Sequence, residues 1–188
     1  MARLLSTLLR VAEGERIVRL RRNPHRDAAA RAYAGVVEQA RRPAFFTGYG
    51  VPDTLDGRFE LVCLHAFFFL HRLKGETAAA AVGQEFFDTM FADFDRSLRE
   101  IGTGDLSVGR QVTRMAEAFY GRIRAYEEGL AGDDTALAAA LTRNLYGTAP
   151  SDSERVAHMA AYVRREAARL AGEPIAALVA GAIEFGSP

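Results

Sequence analysis

Asp88, Asp93 and Asp95 fall within eight positions of one another, close enough to raise the question of a magnesium site for phosphate or isoprenoid chemistry. On a helix, Asp88 and Asp95 share a face because they are seven apart, whereas Asp93 points elsewhere. Arg99 follows Asp95 by four, which makes an intrahelical ion pair worth a few tenths of a kcal/mol. Three carboxylates divided over two faces are not a metal cluster. The segment "IGTGDLSVGRQV" at 101–112 raises a second question, whether Gly102, Gly104 and Gly109 cradle a phosphate. A dinucleotide loop would need its third glycine at position 107, which is Ser107, and a P-loop would end in Gly-Lys-Ser/Thr, whereas the sole lysine is Lys74. Neither motif is met. His65 and His71 are six apart and diverge on a helix, no His-Glu-x-x-His occurs, and His65 among apolar neighbours reads as a satisfied core histidine. "DDTAL" at Asp133 reads as a capped helix start. No serine lies beside a histidine in a nucleophile motif. None of these patterns makes a catalytic or metal-binding constellation, and no cofactor or metal is expected.

The elements that would position these residues all read as helices. Asn23 caps and Pro24 opens a helix running to Arg42. Pro43, Gly48, Gly50 and Pro52 interrupt the chain, and Thr54 or Asp56 caps a helix reaching Leu73. Phe87, Met90, Phe91, Phe94, Leu98 and Ile101 recur at spacings of three and four, which predicts an amphipathic helix over 77–101. Gly102 suits a left-handed helix end, and Ser107 is expected to cap the next helix, whose apolar face is Val108, Val112, Met115, Phe119, Ile123 and Tyr126. The glycine loop is thus a joint between helices. Further helices fit 134–146, 153–171 and 174–184. No segment alternates like a strand, so an all-α single-domain bundle is expected, with residues 1–22 as a basic amphipathic arm and 23–188 as the helical body.

Hydrophobic residues make up 49% and charged residues 26% of the chain, which is ordinary for a globular domain. Net charge is zero, but residues 1–42 hold ten arginines against four acids. The body is correspondingly acidic, which argues against a nucleic-acid surface. Cys63, the single cysteine, excludes an internal disulfide and reads as a buried thiol. The apolar run "LVCLHAFFFL" at 61–70 is half the ~20 residues a spanning helix needs. In the arm, Arg3, Leu4, Leu5, Leu8, Leu9 and Arg10 combine basic and apolar character, as expected for an interfacial helix on an anionic membrane or for a helix packed on the body. Phe67, Phe68 and Phe69 offer aromatic surface for a partner, or core, since neighbouring helix positions point in different directions.

"TGYGVPDTLDGRFELVCLHAFFFLHRL" (47–73) and "FFDTMFADFDRSLREIGTGDLSVGRQVTRMAEAFYGRIRAY" (86–126) resemble the signature of the ubiquinol-cytochrome c chaperone family, over roughly residues 33–145. The resemblance implies an all-helical, non-enzymatic assembly factor for the cytochrome bc1 complex that binds newly made cytochrome b. In mitochondria such a protein works with a small partner subunit near the ribosomal exit. The chain carries no long transit peptide, so a bacterial version is expected, in the cytoplasm and peripheral on the inner face of the inner membrane. The polar part of the signature supplies the contact residues expected for client or partner: Asp53, Asp56, Asp88, Asp93, Asp95, Arg96 and Asp105. Two other classes stay open, a helical-bundle enzyme acting on an isoprenoid or phosphate, and a membrane-surface adaptor without a cytochrome client.

Removal of residues 2–22 is expected to leave a folded body that floats less with anionic vesicles than the full chain, because polybasic attraction and apolar insertion add. Equal flotation of the two proteins would reject the arm as a membrane contact.

Overall fold

The computed structural model describes residues 23–147 and 152–188, so the arm at 1–22 lies outside the described residues. The elements are α1 (Pro24–Ala40), the single turn α2 (Ala44–Thr47), α3 (Leu55–Leu73), a 3₁₀ turn (Thr77–Ala79), α4 (Ala80–Glu100), α5 (Asp105–Ala131), α6 (Asp134–Asn144), α7 (Ser153–Ala171) and α8 (Ile175–Val179). The described residues contain no strand, and the fold is all-α.

The axis of the bundle is α3. Thr54 begins it by accepting the Gly57 N–H at 3.1 Å, and from Leu61 to Phe69 all but the partly buried Val62 are buried. A helix that is apolar all round has to be covered all round, and α1, α4, α5, α7 and α8 do so. Phe67, Phe68 and Phe69 are each at most 1% exposed. Successive positions are about 100° apart on a helix, so the three rings meet three different neighbours. Phe67 packs on Tyr126 of α5 at 5.4 Å between centroids, Phe68 on Tyr162 of α7 at 6.3 Å, and Phe69 on Phe86 of α4 at 4.6 Å. The triplet is core and offers no surface to a partner.

Around this axis α1 packs on α4, α4 on α5, α5 on α6 and α6 on α7. The alanines of α1 allow close approach, since Ala28, Ala29 and Ala32 are at most 3% exposed. Gly129 permits the same between α5 and α6, because a Cβ there would lie 2.9 Å from the Leu137 Cα. Residues 180–188, which follow α8, carry no helix and run between α1 and α7, closing the ring.

Several helix boundaries differ from the sequence-based expectation, and one short element was not foreseen. The helix expected from Ser107 begins two residues earlier at Asp105, with Gly104 in the cap position and Ser107 exposed in the first turn. An acid in the first turn favours that start through the helix dipole, and Arg99 fixes Asp105 at 2.5 Å. The helix expected over 174–184 stops at Val179. Gly181 takes φ +80° and lies so near the Ala28 carbonyl that a Cβ would clash, so the chain must leave the helix there. The turn α2 has too few residues for a periodicity to show. The reading of Gly102 holds: at φ +87° it donates to Arg99 O while Thr103 donates to Leu98 O, both at 3.0 Å, the paired bonds of a Schellman end.

One polar chain crosses the core. His65, fully buried, faces the Leu61 carbonyl with Nδ1 at 2.7 Å and the Tyr162 hydroxyl with Nε2 at 2.9 Å. A carbonyl only accepts, so Nδ1 carries the proton and Nε2 accepts from Tyr162. Tyr162 in turn accepts from Gln39 at 3.0 Å. Burial lowers the His65 pKa to about 4, against an unfolded value near 6.5. The unfolded chain therefore binds a proton that the folded chain refuses, and stability falls as pH drops from about 6.5 towards 4. In chemical denaturation, His65→Gln should flatten that fall by about 1 kcal/mol per pH unit relative to the native chain. Parallel profiles for the two proteins would contradict it.

Candidate functional site

The residues expected to contact a partner gather mainly at one end of the bundle. Phe59 on α3 packs on Phe94 of α4 at 5.1 Å, so the first turns of α3 lie beside the last turns of α4. Asp53 and Asp56 stand at the start of α3, Asp93, Asp95 and Arg96 near the end of α4, and Asp105 at the start of α5. Asp88 lies about two turns further back along α4. Leu55 and Ile101, at the same end, are 66% and 60% exposed and are among the few large apolar side chains that face solvent.

Most of these acids are engaged within the chain. Asp95 accepts from Arg99 Nε at 2.6 Å and Asp105 accepts from Arg99 Nη1 at 2.5 Å, so one guanidinium bridges the α4–α5 corner. The same arginine holds the Asp95 carboxyl below its ordinary pKa through its hydrogen bond. Asp93 accepts the Tyr33 hydroxyl of α1 at 2.8 Å and is paired with Arg96. Tyr33 is pushed upward by burial and by that bond. Asp53 is paired with Arg58 at 2.7 Å. Asp88 accepts from Gln84 at 2.9 Å and, like Asp56 and Asp105, is exposed. Asp93 thus ties α1 to α4, whereas Asp56, Asp88 and Asp105 leave most of their carboxylate to solvent.

A charged pair that the sequence reading missed lies below this end. Glu60 and Arg122 join α3 to α5 through two hydrogen bonds, Nε to Oε2 at 2.6 Å and a second from Nη2 to Oε1. Arg122 also stands over the Phe59 ring at 5.6 Å. Burial pushes the Glu60 carboxyl upward, and the Arg122 hydrogen bonds oppose that. The clue in sequence was a lone Glu entering an apolar run, which needs a cation from another element. Cys63 nearby is buried, and desolvation pushes its thiol well above the ordinary value.

The described residues hold no cluster of His, Cys, Asp and Glu able to bind a metal. An open groove of about 710 Å³ runs between α6 and α7, lined largely by Ala138, Ala139, Val156, Ala157 and Ala160, with the Asp134–Arg164 pair beside it. Small-molecule sites bring a few polar groups together on an enclosed apolar floor, and this groove does not.

Residues 47–185 match the family model described as Ubiquinol-cytochrome C chaperone. The chain belongs to the ubiquinol-cytochrome c chaperone family. The match runs forty residues beyond the segment that carried the resemblance in sequence, through α7, α8 and most of the segment that follows. The Xenopus laevis ubiquinol-cytochrome-c reductase complex assembly factor 1 is 32% identical over 140 residues, 74% of this chain and 70% of that protein. The mouse protein of that name is 29% identical, and the alignment spans 48% of its length. This chain therefore spans about half of its mammalian relative. A crystal structure of the Cbp3 homolog from Brucella abortus has a TM-score of 0.79 and 36% identity, covering 98% of this chain and 97% of that one.

Asp93 and Asp88 separate structural from surface carboxylates. Asp93→Ala should lower stability by about 1–2 kcal/mol, because it leaves the partly buried Tyr33 hydroxyl without its acceptor. Asp88→Ala should leave the urea midpoint unchanged. Equal effects of the two substitutions would contradict this division.

Proposed function

We propose that this protein is an assembly factor of the cytochrome bc1 complex that binds newly made cytochrome b through the charged end of its bundle. The supporting observation is the combination found there: two large exposed aliphatic side chains, Leu55 and Ile101, set among Asp53, Asp56, Asp95, Arg96 and Asp105. Exposed apolar groups rimmed by charge suit a partner that is itself partly apolar. The names of the frog and mouse relatives point the same way.

The client is a membrane protein, so the reading places this chain against the inner face of the bacterial inner membrane, with Arg3, Leu4, Leu5, Leu8, Leu9 and Arg10 as the contact and the ribosome close by. Among the described residues no helix is long and apolar enough to cross a membrane, so attachment in this reading is peripheral.

Deletion of the gene should deplete assembled bc1 complex and spare unrelated respiratory complexes. Re-expression of the chain with Asp56, Asp88 and Asp105 changed to lysine should give a folded protein, its melting midpoint lowered only by loss of the exposed Arg99–Asp105 pair and of an acid in the first turn of α5, with at least tenfold weaker capture of cytochrome b at matched folded concentration. Normal bc1 levels after deletion would overturn the assignment. Undiminished capture by the folded triple variant would remove the acids from the contact.

A further inference from the structure

Beyond Gly181, residues 182–188 are held as a bound peptide is held. Gly181 N donates to Leu178 O and Ala182 N to Ala177 O, both at 2.9 Å, and these bonds end α8. From there the chain is gripped by side chains. Gln39 Nε2 of α1 donates to the Gly186 carbonyl at 2.9 Å, the Gly186 N–H donates to Glu166 Oε2 of α7 at 2.9 Å, and Arg165 Nη2 donates to the Ser187 carbonyl at 3.0 Å. Ile183 lies over Gly35, and Phe185 stands edge-on to His65 at 5.1 Å and 88°. Glu184, between them, faces solvent, as does Ser187. Main-chain bonds supply holding power without regard to sequence, and alternate side chains entering pockets supply selection.

The groove beneath is more polar than a packing surface needs to be. Gln39, His65, Tyr162 and Glu166 are all at most 3% exposed, and burying such groups is costly unless they have a partner to hold. Glu166 has a side chain 1% exposed and pairs through Oε2 with Arg169 Nε at 3.1 Å, and its Oε1 has no hydrogen-bond partner on the protein. That oxygen is aimed at Gly186, where any Cβ would collide with it. The groove therefore demands glycine at one place and has an acceptor there that residues 182–188 do not use.

We propose that the groove between α1 and α7 is a peptide-binding site, that residues 182–188 are its intramolecular occupant, and that an extended segment of the client with an aliphatic, any residue, aromatic, glycine order displaces them. The existence of the site stands apart from the assembly-factor reading; the identity of the client rests on it. Gly181, locked against Ala28, is the fixed point about which the segment leaves.

The test uses the full chain carrying Gly35→Cys and Ile183→Cys. A Cβ at residue 35 lies 3.1 Å from Ile183 Cγ2, so the pair is placed to close when oxidised, and Cys63 is buried and out of reach. A fluorescent peptide, AGAIEFGS, is titrated against both forms. The reduced form should bind it saturably and the oxidised form at least tenfold more weakly, and the peptide with alanine at the position matching Gly186, AGAIEFAS, should bind at least tenfold more weakly to the reduced form. No binding by the reduced form, or binding indifferent to oxidation or to that alanine, overturns the site. Hydrogen exchange on the unaltered chain checks the same claim without substitution: amides of 183–187 should exchange at least a hundredfold faster than those of α3, and exchange together with α3 overturns it. Capture of cytochrome b separates the two readings. Capture by neither form, with peptide exchange intact, sinks the cytochrome b assignment and leaves the site. Equal capture by both forms sinks the client's use of the site and leaves the assignment.

Discussion

Three consecutive phenylalanines on one central helix set the architecture. Because Phe67, Phe68 and Phe69 are separated by the helical turn angle, they cannot share a face, and burying all three forces neighbours onto at least three sides of α3. Tyr126, Tyr162 and Phe86 meet them from α5, α7 and α4. Each such ring is worth about 3–5 kcal/mol against truncation to alanine, so this axis outweighs any surface ion pair in the molecule. A core committed to holding α3 has no aromatic surface to lend, and the contact with a partner has to come from the ends and edges of the bundle.

The bundle is a ring of helices around α3 in which one position is filled by an extended segment. That segment closes the space between α1 and α7 over the most polar part of the interior, where Gln39, His65, Tyr162 and Glu166 meet. Hydrogen bonds in such surroundings are strong when complete and costly when broken. The unpaired Glu166 Oε1 marks the place where they are incomplete. At the end bearing Leu55 and Ile101 the charges are arranged differently. Asp95, Asp105 and Arg99 brace a corner, Asp93 braces α1 against α4, and only the more exposed acids are available to a partner.

Much of the fold was legible because local rules and burial agree. Asn23 followed by Pro24, Thr54 before α3 and Asp133 before α6 announce helix starts that the backbone adopts, and the period of Phe87, Phe91, Phe94 and Leu98 describes α4. Where local and tertiary demands differ, the tertiary one decides. Ser107 is a good cap by composition, yet Asp105 starts the helix because Arg99 holds it. The alanines after Pro174 favour a longer helix, yet the contact of Gly181 with Ala28 ends it. Glu60 with Arg122, and Glu166 with Gly186, join residues 62 and 20 positions apart, and no local spacing reports such a pair. The acids at the α3–α4 end were visible as residues, but their division into braces and free carboxylates depends on Tyr33 and Arg99, which only the folded chain brings to them.

The central claim is that this helical bundle holds a newly made subunit of the bc1 complex. The most direct measurement is to tag the protein in its native cells, pulse-label new polypeptides and purify it under mild conditions. The account predicts that labelled cytochrome b co-purifies early in the chase and leaves as assembled complex accumulates. Recovery of the tagged, folded protein without cytochrome b at every time point would contradict it.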